Sequence, residues 1–89
     1  MRRRTCYFAG RVQGVGFRYT VKNVALQYNV NGFVQNLPDG RVELVMEGPE
    51  PDMRRLVEDV SQRMNGFIRD VDSAEEPATG EFQQFIIKH

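Results

Sequence analysis

Apolar and polar residues alternate with two different periods along the 89-residue chain, and the switches between the periods mark its elements. Residues 4–12 are rich in β-formers and end at Gln13-Gly14-Val15-Gly16, which predicts a strand followed by a tight loop. Phe17, Val21, Val24, Ala25 and Tyr28 then recur at the spacing of one helical face. Asn29-Val30-Asn31-Gly32 ends that helix. Phe33-Val34-Gln35 reads as a short strand, and Leu37-Pro38-Asp39-Gly40 as a hairpin connection. From Arg41 to Glu47 the residues alternate over most of the length, as in a half-buried strand. Gly48-Pro49-Glu50-Pro51-Asp52 breaks the chain and opens a second helix, whose apolar face is Met53, Leu56, Val57, Val60 and Met64. Asn65-Gly66 is the expected C-cap. Phe67 to Val71 starts a fourth strand, residues 72–80 read as an acidic loop with Pro77 and Gly80, and Phe82 to Ile87 as a last strand.

The order is strand–helix–strand–strand–helix–strand with one extra terminal strand, in a single domain spanning residues 1–89. It predicts an α+β, two-layer βαββαβ sandwich: an antiparallel sheet with two helices on one face. A right-handed crossover from the first strand to the second leaves room for the third between them. Both strands then run the same way, so the loop Arg11–Gly16 and the residue Asn36 become neighbours about two dozen positions apart.

Composition narrows the function. Twelve Lys+Arg balance twelve Asp+Glu, so no net field recruits nucleic acid or a membrane surface. The only cysteine, Cys6, allows no intrachain disulfide and suits a reducing, cytoplasmic compartment. Arg2-Arg3-Arg4 is not followed by the apolar stretch of a signal peptide and is expected to be a solvated leader. No stretch approaches the length of a membrane span. The single histidine is His89, and no His/Cys/Asp cluster has metal-ligand spacing, so no metal or cofactor is expected. The acidic residues Asp70, Asp72, Glu75 and Glu76 read as solvated, Met53 and Met64 as core filler, and Cys6 as a strand residue.

The start of the first helix is unusual. No Ser, Thr, Asp or Asn occupies the cap position; Gly14-Val15-Gly16 stands there instead. The first N–H groups of a helix have no internal partner, and two glycines let the backbone approach a ligand closely. N–H groups converging at such a point form an anion site. Arg18 sits in the first turn, where the helix dipole mildly disfavours a cation, and its planar fork matches phosphate oxygens. Read alone, the loop serves structure as well as function, since glycine is itself an acceptable N-cap. It is neither a Walker loop nor a dinucleotide fingerprint, lacking the Lys-Ser/Thr of one and the third glycine of the other. Asn36, bordering the hairpin, reads by itself as a turn residue.

Gly10-Arg11-Val12-Gln13-Gly14-Val15-Gly16-Phe17-Arg18 resembles the first signature of the acylphosphatases. Gly32-Phe33-Val34-Gln35-Asn36, with Gly40-Arg41-Val42 and Gly48, resembles the second, and Phe85-Ile86-Ile87 fits the family's close. The resemblance covers essentially the whole chain; Phe8 departs from the aliphatic residue more usual in the family. It implies a ferredoxin-like fold and metal-free hydrolysis of the carboxyl–phosphate anhydride of small acyl phosphates. Carried onto this chain, it implies that the backbone around Gln13, Gly14, Val15, Gly16, Phe17 and Arg18 binds the phosphate together with the Arg18 side chain, and that Asn36 holds the attacking water. Inorganic phosphate is then product and inhibitor, and a monomer without nucleic-acid or membrane partners is expected.

Two rivals remain. RNA-recognition domains share the element order, but the third strand, Arg41-Val42-Glu43-Leu44-Val45, lacks their stacking aromatics. Acylphosphatase-like domains also stand at the start of larger maturation enzymes, which allows an accessory, phosphate-binding role.

Overall fold

A computed structural model describes all of residues 1–89. Its strands are β1 (Arg2–Gly10), β2 (Asn31–Asn36), β3 (Val42–Gly48), β4 (Ile68–Pro77) and β5 (Phe85–Lys88), and its helices α1 (Phe17–Ala25) and α2 (Glu50–Arg63). The strands form one sheet in the order β4-β1-β3-β2-β5. This is the expected ferredoxin-like α+β sandwich: β3 lies between β1 and β2, antiparallel to both. The sheet is nevertheless mixed, because β5 pairs parallel to β2. The chain leaves β4 at one edge and reaches the opposite edge through residues 78–84, so β5 arrives running in the same sense as β2.

The core lies between the sheet and the helices. Cys6 and Phe8 of β1, Val34 of β2, and Val42, Leu44 and Met46 of β3 face Phe17, Val21 and Val24 of α1 and Met53, Leu56 and Val60 of α2, all buried. Both helical faces read from the periodicity are therefore the packed ones, with Tyr28 and Val57 at their margins. Phe8 packs against Phe17, ring centroids 5.0 Å apart, an aromatic contact at the start of α1. Cys6 is wholly buried, with Sγ 3.3 Å from Ser73 Oγ. Burial pushes its thiol pKa up, which opposes a nucleophilic role.

Four expectations are corrected. The arginines near the start are not a solvated leader: Arg2, Arg3 and Arg4 belong to β1. Arg3 binds the buried Glu47, and Arg4 binds Glu50 and Glu75. The acidic stretch is not a loop as far as Pro77, because β4 continues through it opposite β1, with Glu75 and Glu76 facing Arg4 and Arg3. Opposite charges directly across two strands offset the poor β-propensity of acidic residues, and the outer edge leaves them in water. Gly66 does not adopt the left-handed cap conformation; α2 ends at Arg63 with Met64 as its C-cap, and Phe67 N–H bonds the Met64 carbonyl. The last strand starts at Phe85 rather than Phe82, since residues 81–84 belong to the connection crossing the sheet's open face.

Two glycines are dictated by close approach. A Cβ on Gly32 would lie 1.9 Å from the Val45 carbonyl oxygen, and one on Gly10 would lie 2.3 Å from that of Phe67. Gly10 sits at the irregularity where β1 shifts register against β4, just before the chain turns into the loop.

Candidate active site

The loop that follows β1 is held from behind. Gln13 Nε2 donates to the carbonyls of Leu37 (2.8 Å) and Arg41 (3.0 Å), tying the loop to the β2–β3 hairpin. The hairpin is itself closed by Leu37 N–H to the Arg41 carbonyl and by Asp39, which accepts from Arg41 N–H and Nε. Those bonds hold the Asp39 carboxyl below the ordinary carboxylate range. Asn36, the last residue of β2, is thus fixed beside the loop.

Gly14 and Gly16 take left-handed conformations, φ 78° and 77°, and Gly16 caps α1 with no side-chain hydrogen bond. Thr20 N–H bonds the Gly16 carbonyl and starts the helix. None of the turn, loop and cap hydrogen bonds is donated by the N–H groups of Gly14 to Tyr19. No acidic side chain lies in the first turn of α1. The result is a run of free backbone donors at a helix N-terminus, the arrangement that attracts an anion.

Val12, Gly14, Gly16, Phe17, Arg18, Tyr19 and Asn36 line one cavity of about 90 Å³. That is more than the ~10–15 Å³ that one water needs, so the cavity can admit a small polar group. Asn36 Oδ1 is buried without a hydrogen-bond partner, alone among the buried side-chain nitrogen and oxygen atoms. Leaving such an acceptor unpaired costs about 1–3 kcal/mol. The orphan therefore marks a position where a donor is wanted.

Of the residues singled out in the sequence, Gly14, Gly16, Phe17, Arg18 and Asn36 come together around this cavity, and Val15 and Gln13 do not line it. Val15 projects outward, 38% exposed. Gln13 acts through its carboxamide as the tether between loop and hairpin, a role sequence reasoning missed. The glutamine next to the glycines was visible, but its carbonyl partners belong to residues 24 and 28 positions away. His89 was also missed: its Nδ1 lies 3.3 Å from Arg18 Nη1. No group of three or more His, Cys, Asp or Glu side chains is placed to hold a metal ion, and no helix is long and apolar enough to cross a membrane.

Comparison with known proteins decides the family. The acylphosphatase family model matches residues 4–87. The chain belongs to the acylphosphatase family. An acylphosphatase of Syntrophus aciditrophicus (strain SB) is 43% identical over 88 residues, covering 98% of this chain and 92% of that protein. One of Haloarcula marismortui is 44% identical over 77 residues, covering 83% and 82% of the two chains. The crystal structure of acylphosphatase from Bacillus subtilis superposes with a TM-score of 0.90 at 36% identity, over the whole of both chains. The chain also matches HypF of T. kodakarensis with a TM-score of 0.85 at 34% identity, covering all of this chain but 12% of that one. A similar fold thus makes up the whole of one solved chain and a small part of another.

Proposed function

We propose that the chain hydrolyses acyl phosphates by direct attack of water, with the phosphoryl group held by the backbone N–H groups around Gln13–Arg18 and by the Arg18 guanidinium, and with the water held by Asn36. One observation carries the reading: Asn36, whose Oδ1 is buried without a partner, lines the same small cavity as Arg18 and the uncapped start of α1. A carboxamide oxygen accepts a hydrogen bond from water and orients a lone pair toward phosphorus. The N–H groups and the guanidinium meet the equatorial oxygens, where charge is spread in the transition state.

The reaction suits this sparse set of groups. Water oxygen bonds to phosphorus as the bond from phosphorus to the acyl oxygen breaks, and the bonding pair leaves on a carboxylate. The conjugate acid of that leaving group has a pKa of about 4, so no general acid is needed. Asn36 is too weak a base to take the water proton, and a phosphoryl oxygen accepts it. Positioning and electrostatics supply the rate. We further propose that the chain acts as a single-domain monomer in the cytoplasm, on a freely diffusing acyl phosphate, without nucleic-acid or membrane partners. Balanced charge and one buried thiol support that setting.

The test is turnover of benzoyl phosphate by the wild type, Arg18→Ala and Asn36→Ala, each checked for folding by circular dichroism. Arg18→Ala should lose phosphate affinity and activity together. Asn36→Ala should keep phosphate affinity while kcat falls about 10²-fold. Inorganic phosphate should compete with substrate. Wild-type-like kcat in Asn36→Ala would overturn the assignment of the water.

A further inference from the structure

The contact between Arg18 and His89 joins the site to the end of β5, and it brings the chain's single histidine to its phosphate-binding arginine. We propose that His89 tunes the anion site. As a neutral ring it accepts a hydrogen bond from Arg18 and steadies the fork. As an imidazolium it becomes a second cation for a doubly charged anion in the cradle. The inference rests on the phosphate-binding reading above and adds to it a dependence of anion affinity on pH.

The argument is electrostatic. In the present contact Nδ1 stands 3.3 Å from a guanidinium nitrogen, which can only donate. The ring therefore presents a lone pair, with its proton on Nε2. Protonation at Nδ1 would set two donors and two positive charges against each other. A dianion held beside both cations offsets that repulsion, because each cation then faces opposite charge. By linkage, whatever binds more tightly to the protonated protein must itself draw protons onto the ring.

The surroundings leave the ring few other influences. β5 packs against α1 and β2. The charged residues of α1 are Arg18 and Lys22, both cationic, and β2 carries none. Lys88, the charged neighbour on β5, reaches to the opposite face, 4.1 Å from the centre of the Phe33 ring. No side-chain carboxylate hydrogen-bonds or ion-pairs with His89; its one side-chain partner is Arg18.

The probe is sulfate, which stays doubly charged through the range in which an imidazole titrates, near pH 6.5. The single histidine gives unobscured ring resonances by NMR. Saturating sulfate should move the midpoint of the ring titration upward by about half a pH unit or more. Sulfate should bind at least about threefold more tightly at about pH 5.5 than at about pH 8. His89→Gln keeps an acceptor for Arg18 but cannot titrate, and its sulfate affinity should be flat over that range. A titration midpoint that sulfate leaves in place, in a protein that binds sulfate through Arg18, would overturn the role of His89 alone. Sulfate binding that survives Arg18→Ala unchanged would instead overturn the cradle on which the inference stands.

Discussion

Single residues in this protein are constrained for different reasons, and the two kinds of glycine show it. Gly32 is excluded from substitution by contact, since a Cβ would sit 1.9 Å from a carbonyl oxygen in the middle of the sheet. Gly16 has open space around the same position, with nothing within 4 Å, but its φ of 77° is one that L side chains rarely adopt. Alanine there costs about 1–2 kcal/mol of backbone strain. Gly32→Ala should therefore fail to fold. Gly16→Ala should fold with a lower urea midpoint and a raised KM for acyl phosphate, because relaxing that angle turns the N–H donors away from their common centre. An unchanged KM in a destabilised Gly16→Ala would separate loop conformation from phosphate binding. Asn36 is constrained by chemistry: its oxygen is buried at a cost that a packing role would not explain.

At the scale of elements, one carboxylate gathers the bonds that hold the first part of the connection from β4 to β5. Glu47, on the open face of β3, accepts from Arg3 Nε (2.8 Å), Thr79 N–H (2.8 Å), Thr79 Oγ1 (3.2 Å) and Gly80 N–H (3.0 Å). Arg3 also binds Glu81 and lies over the Phe82 ring, and Phe82 packs edge-on against Phe33. Burial pulls the Glu47 pKa up, but the bonds from Thr79, Arg3 and Gly80 outweigh it and hold the carboxyl below its ordinary value. A depressed folded-state pKa contributes stability above the unfolded value, about 4.3 for glutamate, and that stability is lost as pH falls through the folded value. Glu47→Gln should lower stability by about 1–3 kcal/mol at neutral pH. Its stability should also fall less steeply than the wild type's below about pH 4, read from urea midpoints across pH. Parallel pH curves for the two proteins would show that this carboxylate does not anchor the strap.

Across the whole molecule, core and site share two residues, Val12 and Phe17. Phe17 is buried against Phe8 while its backbone opens α1 at the cavity. Leu56, equally buried, lies on α2 and does not line the cavity. Both truncations leave voids: Leu56→Ala should cost about 2–5 kcal/mol and Phe17→Ala about 3–5 kcal/mol. In a domain of this size the first amounts to a drop in Tm of about 8 °C or more. Measured well below Tm, Leu56→Ala should retain the wild-type KM, whereas Phe17→Ala should raise it. Equal KM values in the two variants would mean that the helix start is set by the loop alone and not by its seat in the core.

The sequence by itself determined the element order, both buried helical faces, the hairpin and the glycine loop, because periodicity and turn chemistry are local properties of the chain. It also brought Arg18 and Asn36 to one place, since a right-handed crossover leaves little choice about which strand ends meet. Only the tertiary structure decided the remainder. Glu75 and Glu76 form a strand because Arg4 and Arg3 stand opposite them. Gln13 tethers the loop because two distant carbonyls lie within its reach. Arg3 crosses the sheet to bind the buried Glu47, and His89 meets Arg18 because β5 returns parallel to β2. Each of these depends on a partner far away in the chain, and a charge or a carboxamide carries no sign of its partner until folding supplies it.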